Sequence, residues 1–382
     1  MWKDRIAKLA RDVAGEVEAR LEPQRGRLPG RGRGPARIEA YRGFGCADRA
    51  FVRGRVLRGS PLPPADAADS VWLNLERMAG RFYSDEVPGA RVLVRFPGGE
   101  QTVTADEEGY FQCWFDPRPP FTSPPHWHAV TLNLLEPVDA APSPSVEAPV
   151  LVPAPGAAFG VISDLDDTVV RADATNPLRM ARTLLLRNAH TRVPFPGVAA
   201  FYRALARGRG AAAVNPVFYV SSSPWNFYDI LAEFLDLQRI PRGPLLLRDW
   251  GVTRREPGTG GHSGHKLAAI RRILDLYPAL PFLLIGDSGQ EDPEIYHRIV
   301  HRYPDRILAV YVRNVTPAAL RRETIRALAA EVKAAGSTLL LTDDTLAAAR
   351  HAAARGWIAP DAVDEVAAAS SADGVAPERP RP

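Results

Sequence analysis

The sequence predicts an α/β protein in which a doubly wound parallel sheet follows a small antiparallel β-sandwich domain. Its 382 residues correspond to about two domains at roughly 100–200 residues per domain. The pattern also changes along the chain. Residues 38–137 alternate apolar and polar side chains between Gly and Pro turns, which is typical of antiparallel strands. Residues 158–365 alternate apolar runs with helical segments, which is typical of a parallel sheet covered by helices.

Composition excludes several classes of protein. A hydrophobic share of 46% with 24% charged residues is ordinary for a globular chain and excludes a wholly disordered or fibrous one. The net charge of +4 argues against a dedicated nucleic-acid binder, so we expect no nucleic-acid partner. Two cysteines can form neither a disulfide scaffold nor a four-ligand zinc site.

The β-sandwich is expected from short runs that are separated by turn formers such as Pro88-Gly89 and Pro97-Gly98-Gly99. A segment rich in Pro, Ala and Ser, residues 138–157, is expected to be a linker. The strands expected before it are 51–57, 71–76, 91–96, 101–105, 110–115 and 130–135.

In the second domain each short apolar run is expected to be a strand that is buried on both faces. The tail, residues 366–382, is rich in Ala, Ser and Pro and is expected to be disordered. The expected strands are 159–163, 217–220, 245–247, 282–285 and 307–311, and the expected helices are 197–207, 225–237, 266–276 and 317–335.

The N-terminal segment, residues 1–37, combines an amphipathic helix with an Arg-rich linker. The helix either docks on its own domain or lies in a membrane surface, and the linker is either solvated or attracted to anionic lipid. An insertion at 171–192 has the same two interpretations, a helix packed on the sheet or one that enters a lipid surface. Because the N-terminus is charged throughout and no apolar stretch is long enough to span a bilayer, we expect a cytoplasmic protein, with peripheral contact to an anionic membrane as the alternative.

Acidic residues follow the first strand of the second domain. Asp164, Asp166 and Asp167 lie within four residues, and Thr168 completes the string. Carboxylates so close together repel one another unless a cation compensates them, so the string indicates a metal site. The alternative is a charged turn that caps the next helix.

Three more strands lead into polar residues. Ser221 and Ser222 follow the second strand, where hydroxyls and backbone N–H groups form an anion cradle. Lys266 is one of only four lysines and follows a glycine-rich loop, and its compact ammonium suits charge neutralisation beside carboxylates. Asp287 is a natural oxygen ligand, and Asp292 can support the metal or the lysine.

Together these motifs resemble the haloacid dehalogenase superfamily over roughly 158–315. A response-regulator receiver is disfavoured because its lysine follows the last acidic strand, whereas Lys266 precedes Asp287. Within the superfamily the chain is most similar to the actin-patch-type phosphatidate phosphatases, relatives of the lipins. The segments that carry this likeness are Tyr41-Arg42-Gly43-Phe44-Gly45, Asp164-Leu165-Asp166-Asp167-Thr168, Tyr219-Val220-Ser221-Ser222-Ser223-Pro224-Trp225, Arg248-Asp249-Trp250-Gly251 and Gly286-Asp287-Ser288-Gly289-Gln290-Glu291-Asp292-Pro293-Glu294-Ile295-Tyr296.

The resemblance implies a Mg²⁺-dependent phosphatase for phosphatidate or a similar lipid phosphomonoester, acting through an aspartyl-phosphate. Asp164 would be the nucleophile and Asp166 the acid and base, with Ser221 and Lys266 stabilising the phosphoryl oxygens. The resemblance also implies Mg²⁺ at Asp164, the Asp166 carbonyl, Asp287 and Asp292, and substrate binding by Thr168, Ser222 and Arg248.

Two alternatives remain open. The motifs define phosphoryl chemistry but not the leaving group, so the substrate could be a soluble or nucleic-acid phosphomonoester. The chain could instead be a non-catalytic membrane-binding scaffold with a vestigial metal site. Arg248 could form an ion pair with Asp249 rather than contact substrate. The sequence gives no oligomeric state.

Overall fold

The computed structural model describes residues 34–59, 86–122, 126–139, 142–166, 168–169, 194–210, 214–248, 262–316 and 318–374. The expected helix and linker over 1–33, the strand 71–76 and the insertion 171–192 lie outside these residues.

The N-terminal domain consists of eight strands that belong to one hydrogen-bonded network, in the order β1-β3-β2-β8-β7-β4-β5 with β6 beside β3. The neighbours are antiparallel except for the parallel pair β2 and β8. The antiparallel character is therefore confirmed for this domain, and its division into two facing sheets stays a prediction. The strands are β1 Ala36–Ala40, β2 Gly43–Gly45, β3 Ala50–Arg58, β4 Arg91–Phe96, β5 Gly99–Thr104, β6 Tyr110–Phe115, β7 Trp127–Glu136 and β8 Ser145–Leu151.

Two boundaries expected for this domain are wrong. Strand β1 begins at Ala36, inside the expected linker 1–37. The expected linker 138–157 contains β8, which lies between β2 and β7 in the sheet. Strand β8 is paired along most of its length with β7, from Trp127↔Leu151 to Asn133↔Ser145. These backbone hydrogen bonds fix an extended conformation that the Pro-rich composition alone does not indicate.

The second domain contains a six-stranded parallel sheet in the order β11-β10-β9-β12-β13-β14. Alternate strand residues face opposite cores, since Val161 packs in one core and Ile162 in the other. The elements are β9 Gly160–Ser163, α1 Val198–Arg207, β10 Val217–Pro224, α2 Tyr228–Leu237, β11 Leu245–Arg248, α3 His262–Leu276, β12 Phe282–Asp287, α4 Asp292–Arg302, β13 Ile307–Arg313, α5 Ala319–Ala334, β14 Leu339–Thr342, α6 Thr345–Ala354 and α7 Ala362–Gly374.

Helices cover both faces of this sheet. One core contains Phe201 of α1, Leu231 of α2 and Val366 of α7. The other contains Ile273 of α3 and Ile299 of α4. The α/β class with a parallel sheet is therefore confirmed, and the doubly wound fold of the haloacid dehalogenase type stays a prediction.

The boundary expected between the second domain and the C-terminal tail is wrong. Residues 366–374 were expected to be disordered, but they belong to α7, where Val366 is fully buried. The Asp373 carboxylate also accepts a hydrogen bond from the Gly197 amide at the start of α1, 2.9 Å away. The expectation was wrong because it rested on the low hydrophobicity of the segment. A helix rich in Ala needs only a few apolar contacts when its neighbours are already in place.

Candidate active site

Four neighbouring parallel strands end at the same edge of the second sheet. Strand β9 lies between β10 and β12, and β11 lies beyond β10. The carboxyl ends of parallel strands are where α/β sheets bind ligands. The polar residues predicted after each strand are therefore brought to one edge.

Asp164 lies at the centre of this edge. Its side chain is only 1% exposed, and one of its oxygens lies 2.9 Å from the Lys266 ammonium. The Thr168 hydroxyl donates a weak hydrogen bond of 3.4 Å to its other oxygen. Burial raises the pKa of Asp164 well above its usual value, and the carboxylates of Asp292, Asp287 and Asp166 add to this, whereas Lys266 opposes it.

Lys266 bridges two carboxylates. Its ammonium contacts Asp292 at 2.6 Å as well as Asp164 at 2.9 Å. Burial lowers the pKa of Lys266, but the charges of Asp164, Asp292 and Asp287 outweigh burial and raise it overall. The lysine therefore remains charged and is held as a preorganised cation at the site.

Asp287 and Asp292 are fixed by the backbone around them. One Asp287 oxygen accepts the amide hydrogens of Gly289 at 2.6 Å and Gln290 at 3.0 Å. Asp292 accepts the amide hydrogen of Asp287 at 3.2 Å. Gly286 permits this approach, because a Cβ there would lie 2.5 Å from an Asp292 oxygen.

These carboxylates fit a divalent cation. One oxygen from each of Asp164, Asp287 and Asp292 can be chosen so that all lie within 4.8 Å of one another. Lys266 is the only ammonium among them in the described residues, so three carboxylates are incompletely compensated. A buried set of oxygen donors with excess negative charge is the donor set that Mg²⁺ and Ca²⁺ prefer.

Asp166 faces a pair of serines. The hydroxyls of Ser221 and Ser223 both donate to the same Asp166 oxygen, at 2.8 Å and 2.9 Å. The other oxygen of Asp166 is buried and accepts no hydrogen bond from the residues that the structure describes. Asp166 therefore has one oxygen held in place and one available to exchange a proton with a bound molecule.

Ser223 is the functional residue that the sequence prediction did not select. On an extended strand end, residues two apart point to the same side, so the spacing of Ser221 and Ser223 could have indicated it. Ser222, which was predicted to bind substrate, lies between them and is half-buried, and neither hydrogen bond to Asp166 comes from it.

Arg248 ends β11 at the margin of the site. Arg248 is only 8% exposed, and burial lowers the pKa of its guanidinium. Its buried Nη1 atom has no hydrogen-bond partner among the described residues, and Asp249, the alternative ion-pair partner, lies outside them. Substrate binding by Arg248 therefore stays a prediction.

The fold and the site thus define an α/β domain that gathers carboxylates, an ammonium and hydroxyls at one sheet edge, an arrangement suited to phosphoryl groups. Residues 159–314 match a family model described as "Phosphatidate phosphatase APP1, catalytic domain". This part of the chain is similar to the catalytic domains of the actin-patch-type phosphatidate phosphatases, and the resemblance inferred from the motifs is confirmed.

Two curated relatives match the same part of the chain. Phosphatidate phosphatase APP1 of Saccharomyces cerevisiae is 31% identical over 156 residues, which cover 41% of this chain and 26% of the yeast protein. An uncharacterised protein of Schizosaccharomyces pombe is 30% identical over 162 residues, which cover 41% of this chain and 25% of that protein. The chain thus matches about a quarter of the length of these relatives.

Among solved structures, a carbohydrate acetylesterase from Xanthomonas citri aligns over 76% of this chain and 72% of its own, with 11% identity and a TM-score of 0.24. A score this low carries no argument about fold or function. Within the described residues, none of the helices has the length and apolar character needed to cross a bilayer.

Proposed function

We propose that the chain is a phosphatase of the haloacid dehalogenase type that hydrolyses phosphatidate or a similar lipid phosphomonoester with the help of Mg²⁺. The observation that carries the proposal is the buried group of Asp164, Lys266, Asp287 and Asp292, which lies inside the region similar to phosphatidate phosphatase catalytic domains.

The residues that would hold the metal are Asp164, Asp287 and the Asp166 carbonyl. When bound, Mg²⁺ would neutralise charge on the phosphoryl oxygens. Asp292 lies in the same group, but its oxygens already bind Lys266 and the Asp287 amide, so we assign it to holding those two residues.

In the first step a carboxylate oxygen of Asp164 attacks phosphorus, and the bond between phosphorus and the lipid oxygen breaks. Asp166 donates its proton to the leaving alkoxide through the oxygen that accepts no hydrogen bond from any described residue. The products of this step are an aspartyl-phosphate and the lipid alcohol. Ser221, Lys266, Thr168, Ser222 and Arg248 are the groups proposed to bind the phosphoryl oxygens and the substrate.

In the second step water attacks the phosphorus of the aspartyl-phosphate, and Asp166 accepts a proton from that water. The bond between phosphorus and Asp164 breaks, which releases inorganic phosphate and restores both carboxyl groups. The hydrogen bonds from Ser221 and Ser223 keep Asp166 in place for both proton transfers.

A lipid substrate places the enzyme at a membrane surface, so we propose a cytoplasmic protein with peripheral membrane contact. The N-terminal segment and the insertion 171–192 were the sequence candidates for that contact, and they lie outside the described residues.

The test is phosphate release from phosphatidate in detergent mixed micelles, with and without Mg²⁺, beside release from a soluble aryl phosphate. We expect Mg²⁺-dependent release from phosphatidate. Release from the soluble ester alone would favour a soluble phosphomonoester as substrate. Co-sedimentation with anionic liposomes without any release would favour the scaffold.

A further inference from the structure

Side chains of the β-sheet domain hold the turn that follows the serines of β10. This turn, Trp225–Phe227, forms a short 3₁₀ helix between β10 and α2. The Tyr41 ring stacks on the Trp225 ring with centroids 4.8 Å apart and planes at 17°, and it packs against the Tyr228 ring at 4.3 Å. Tyr41 is 2% exposed and Trp225 is 7% exposed, so the stack is buried.

Arg42 fixes the helix that follows the turn. Its backbone amide donates to the Tyr228 hydroxyl at 2.6 Å, and its guanidinium contacts the Asp236 carboxylate of α2 at 2.7 Å. The Arg42 side chain is 5% exposed. Because a buried guanidinium requires its partners, these contacts restrict where α2 begins relative to the β-sheet domain.

Two further residues of the β-sheet domain contact the Trp225–Phe227 turn. The Arg53 guanidinium lies 4.6 Å from the centroid of the Trp225 ring. The Tyr110 hydroxyl donates to the Asn226 side chain at 3.3 Å. We name the four residues Tyr41, Arg42, Arg53 and Tyr110 the β-domain clamp.

The clamp adjoins an irregular part of the catalytic sheet. Strand β10 advances from Val220 to Pro224 while its neighbour β11 advances only from Leu246 to Arg248. The extra residues form a bulge that contains Ser221 and Ser223. Backbone in a bulge lacks regular ladder hydrogen bonds, so its shape depends on how each end is anchored. The sheet pairs Val220 with Leu246 before the bulge and Pro224 with Arg248 after it, and the Trp225 turn follows directly after Pro224.

The bulge in turn positions Asp166. The Ser223 amide donates to the Ser221 hydroxyl at 2.9 Å, and both hydroxyls donate to one Asp166 oxygen. A shift of Trp225 therefore moves Ser223, and with it the carboxylate that exchanges the proton. Misplacement of a reacting group by about 1 Å can cost about 10²-fold in rate.

We infer that the β-domain clamp is a positioning device for the acid–base carboxylate, so that the β-sheet domain is a working part of the active site. The inference rests on the proposed function for its kinetic consequence. The residues of the clamp are positioning residues, because they act on Asp166 through Trp225, Ser223 and Ser221.

Two tyrosines give a matched test in the full chain. Tyr228→Phe removes the hydroxyl that accepts a hydrogen bond from the Arg42 amide beside the turn. Tyr277→Phe removes a hydroxyl that donates to the Gly45 carbonyl at 3.0 Å, also between the two domains but away from the turn. Both changes delete one interdomain hydrogen bond and keep the aromatic ring.

We expect Tyr228→Phe to lower kcat about ten-fold with KM changed less than about two-fold, and to shift the pH profile of kcat. Tyr277→Phe should leave kcat and its pH profile near wild type, even if both variants lower Tm equally. In a second pair, Tyr41→Phe should keep the ring stack and retain kcat, whereas Tyr41→Leu should lower it.

Amide hydrogen exchange provides a readout without catalysis. In the metal-free protein, Tyr228→Phe should speed exchange of the amides of residues 221–227 by about five-fold or more, and Tyr277→Phe should not. Equal effects of the two substitutions on kcat and exchange, or no effect of Tyr228→Phe on either, would overturn the inference. If the wild-type protein hydrolyses no phosphomonoester, the proposed function fails, and the exchange comparison alone decides whether the clamp orders the bulge.

Discussion

The two domains bury charge in different ways. In the described part of the β-sheet domain the buried charged side chains are Arg42 and Arg55, and each forms an ion pair with a carboxylate that is partly exposed, Asp236 or Glu86. The parallel-sheet domain instead buries carboxylates beside one another. A buried arginine paired with a partly solvated carboxylate needs no role beyond stabilising the fold. Buried like charges are costly and indicate a site where a ligand or a reaction uses them.

The carboxylates of the second domain are held in place by the backbone as well as by Lys266. The groups that fix them are amides, serine hydroxyls and the tight contact at Gly286. The β-sheet domain contributes contacts to the turn beside these groups. One domain therefore carries the proposed reacting groups, whereas the other stabilises their surroundings.

The largest effect is expected for Asp164→Asn. It removes the proposed nucleophile and one buried negative charge, so phosphate release should fall by at least about 10³-fold while the fold is retained. Phosphate release and thermal unfolding measure the two effects. Asp361→Asn, at an exposed position, is the control. Residual turnover within about ten-fold of wild type would remove Asp164 from the role of nucleophile.

Lys266→Met should lower activity by about 10²–10³-fold because it removes the buried ammonium that we propose as a donor to the phosphoryl oxygens. It should also lower the free energy of unfolding by roughly 3–5 kcal/mol, because Asp164 and Asp292 lose their cation. Chemical denaturation and phosphate release measure these changes. Lys333→Met at an exposed position is the control. A stable, active Lys266→Met protein would show that the ammonium compensates nothing essential.

Phe44→Ala tests whether the two domains share a core. Phe44 belongs to the β-sheet domain, but it is 2% exposed and its ring lies 6.1 Å from that of Phe218 in β10. The substitution should cost about 3–5 kcal/mol of unfolding free energy with one calorimetric transition retained. Leu320→Ala, at a residue 76% exposed, should cost little. Separate transitions, with only one of them shifted, would show that the domains fold independently.

A smaller effect is expected from His265 on the pH dependence of the free energy of unfolding. Burial lowers the pKa of His265 to about 4 from its ordinary 6.5, and nearby Arg248, Lys266 and Arg272 also lower it. As pH falls from 6.5 toward 4, the unfolded chain therefore binds a proton at this ring and the folded chain does not. Stability should fall by up to about 3 kcal/mol across that window and level off below it.

Denaturation of His265→Gln at pH 7 and pH 4.5 measures this contribution, since the variant should lose less stability than wild type between the two conditions. His301→Gln, whose ring lies at the surface, should follow wild type. An unchanged slope for His265→Gln would mean that the ring is protonated in the folded protein.

Strands with clear alternation or continuous apolar character were predictable from the sequence. Strands Arg91–Phe96 and Tyr110–Phe115 have the expected bounds, and the five parallel strands that were predicted differ from expectation only at their ends. The edge where Asp164, Lys266 and Asp287 meet was predictable for the same reason, because parallel strands place their carboxyl ends together.

Elements that depend on distant neighbours were not predictable. Strand β8 contains Pro149 and lies in a Pro-rich segment, and its extended form comes from pairing with β7 and β2. Strand β14 has only four residues, Leu339–Thr342. The contacts of Tyr41 with Trp225 join residues far apart in sequence, so no local pattern indicates them.

The apolar core that the two domains share limits which segments of the chain could be transferred to another protein by recombination. A DNA fragment that encoded only residues 159–314 would lose Tyr41 and Phe44 from the aromatic surfaces of Trp225 and Phe218, together with strand β14, which pairs with β13. The product would expose apolar surface to water and lose a sheet neighbour. The smallest segment that could move intact to another protein therefore extends beyond the region that resembles the relatives, at both ends.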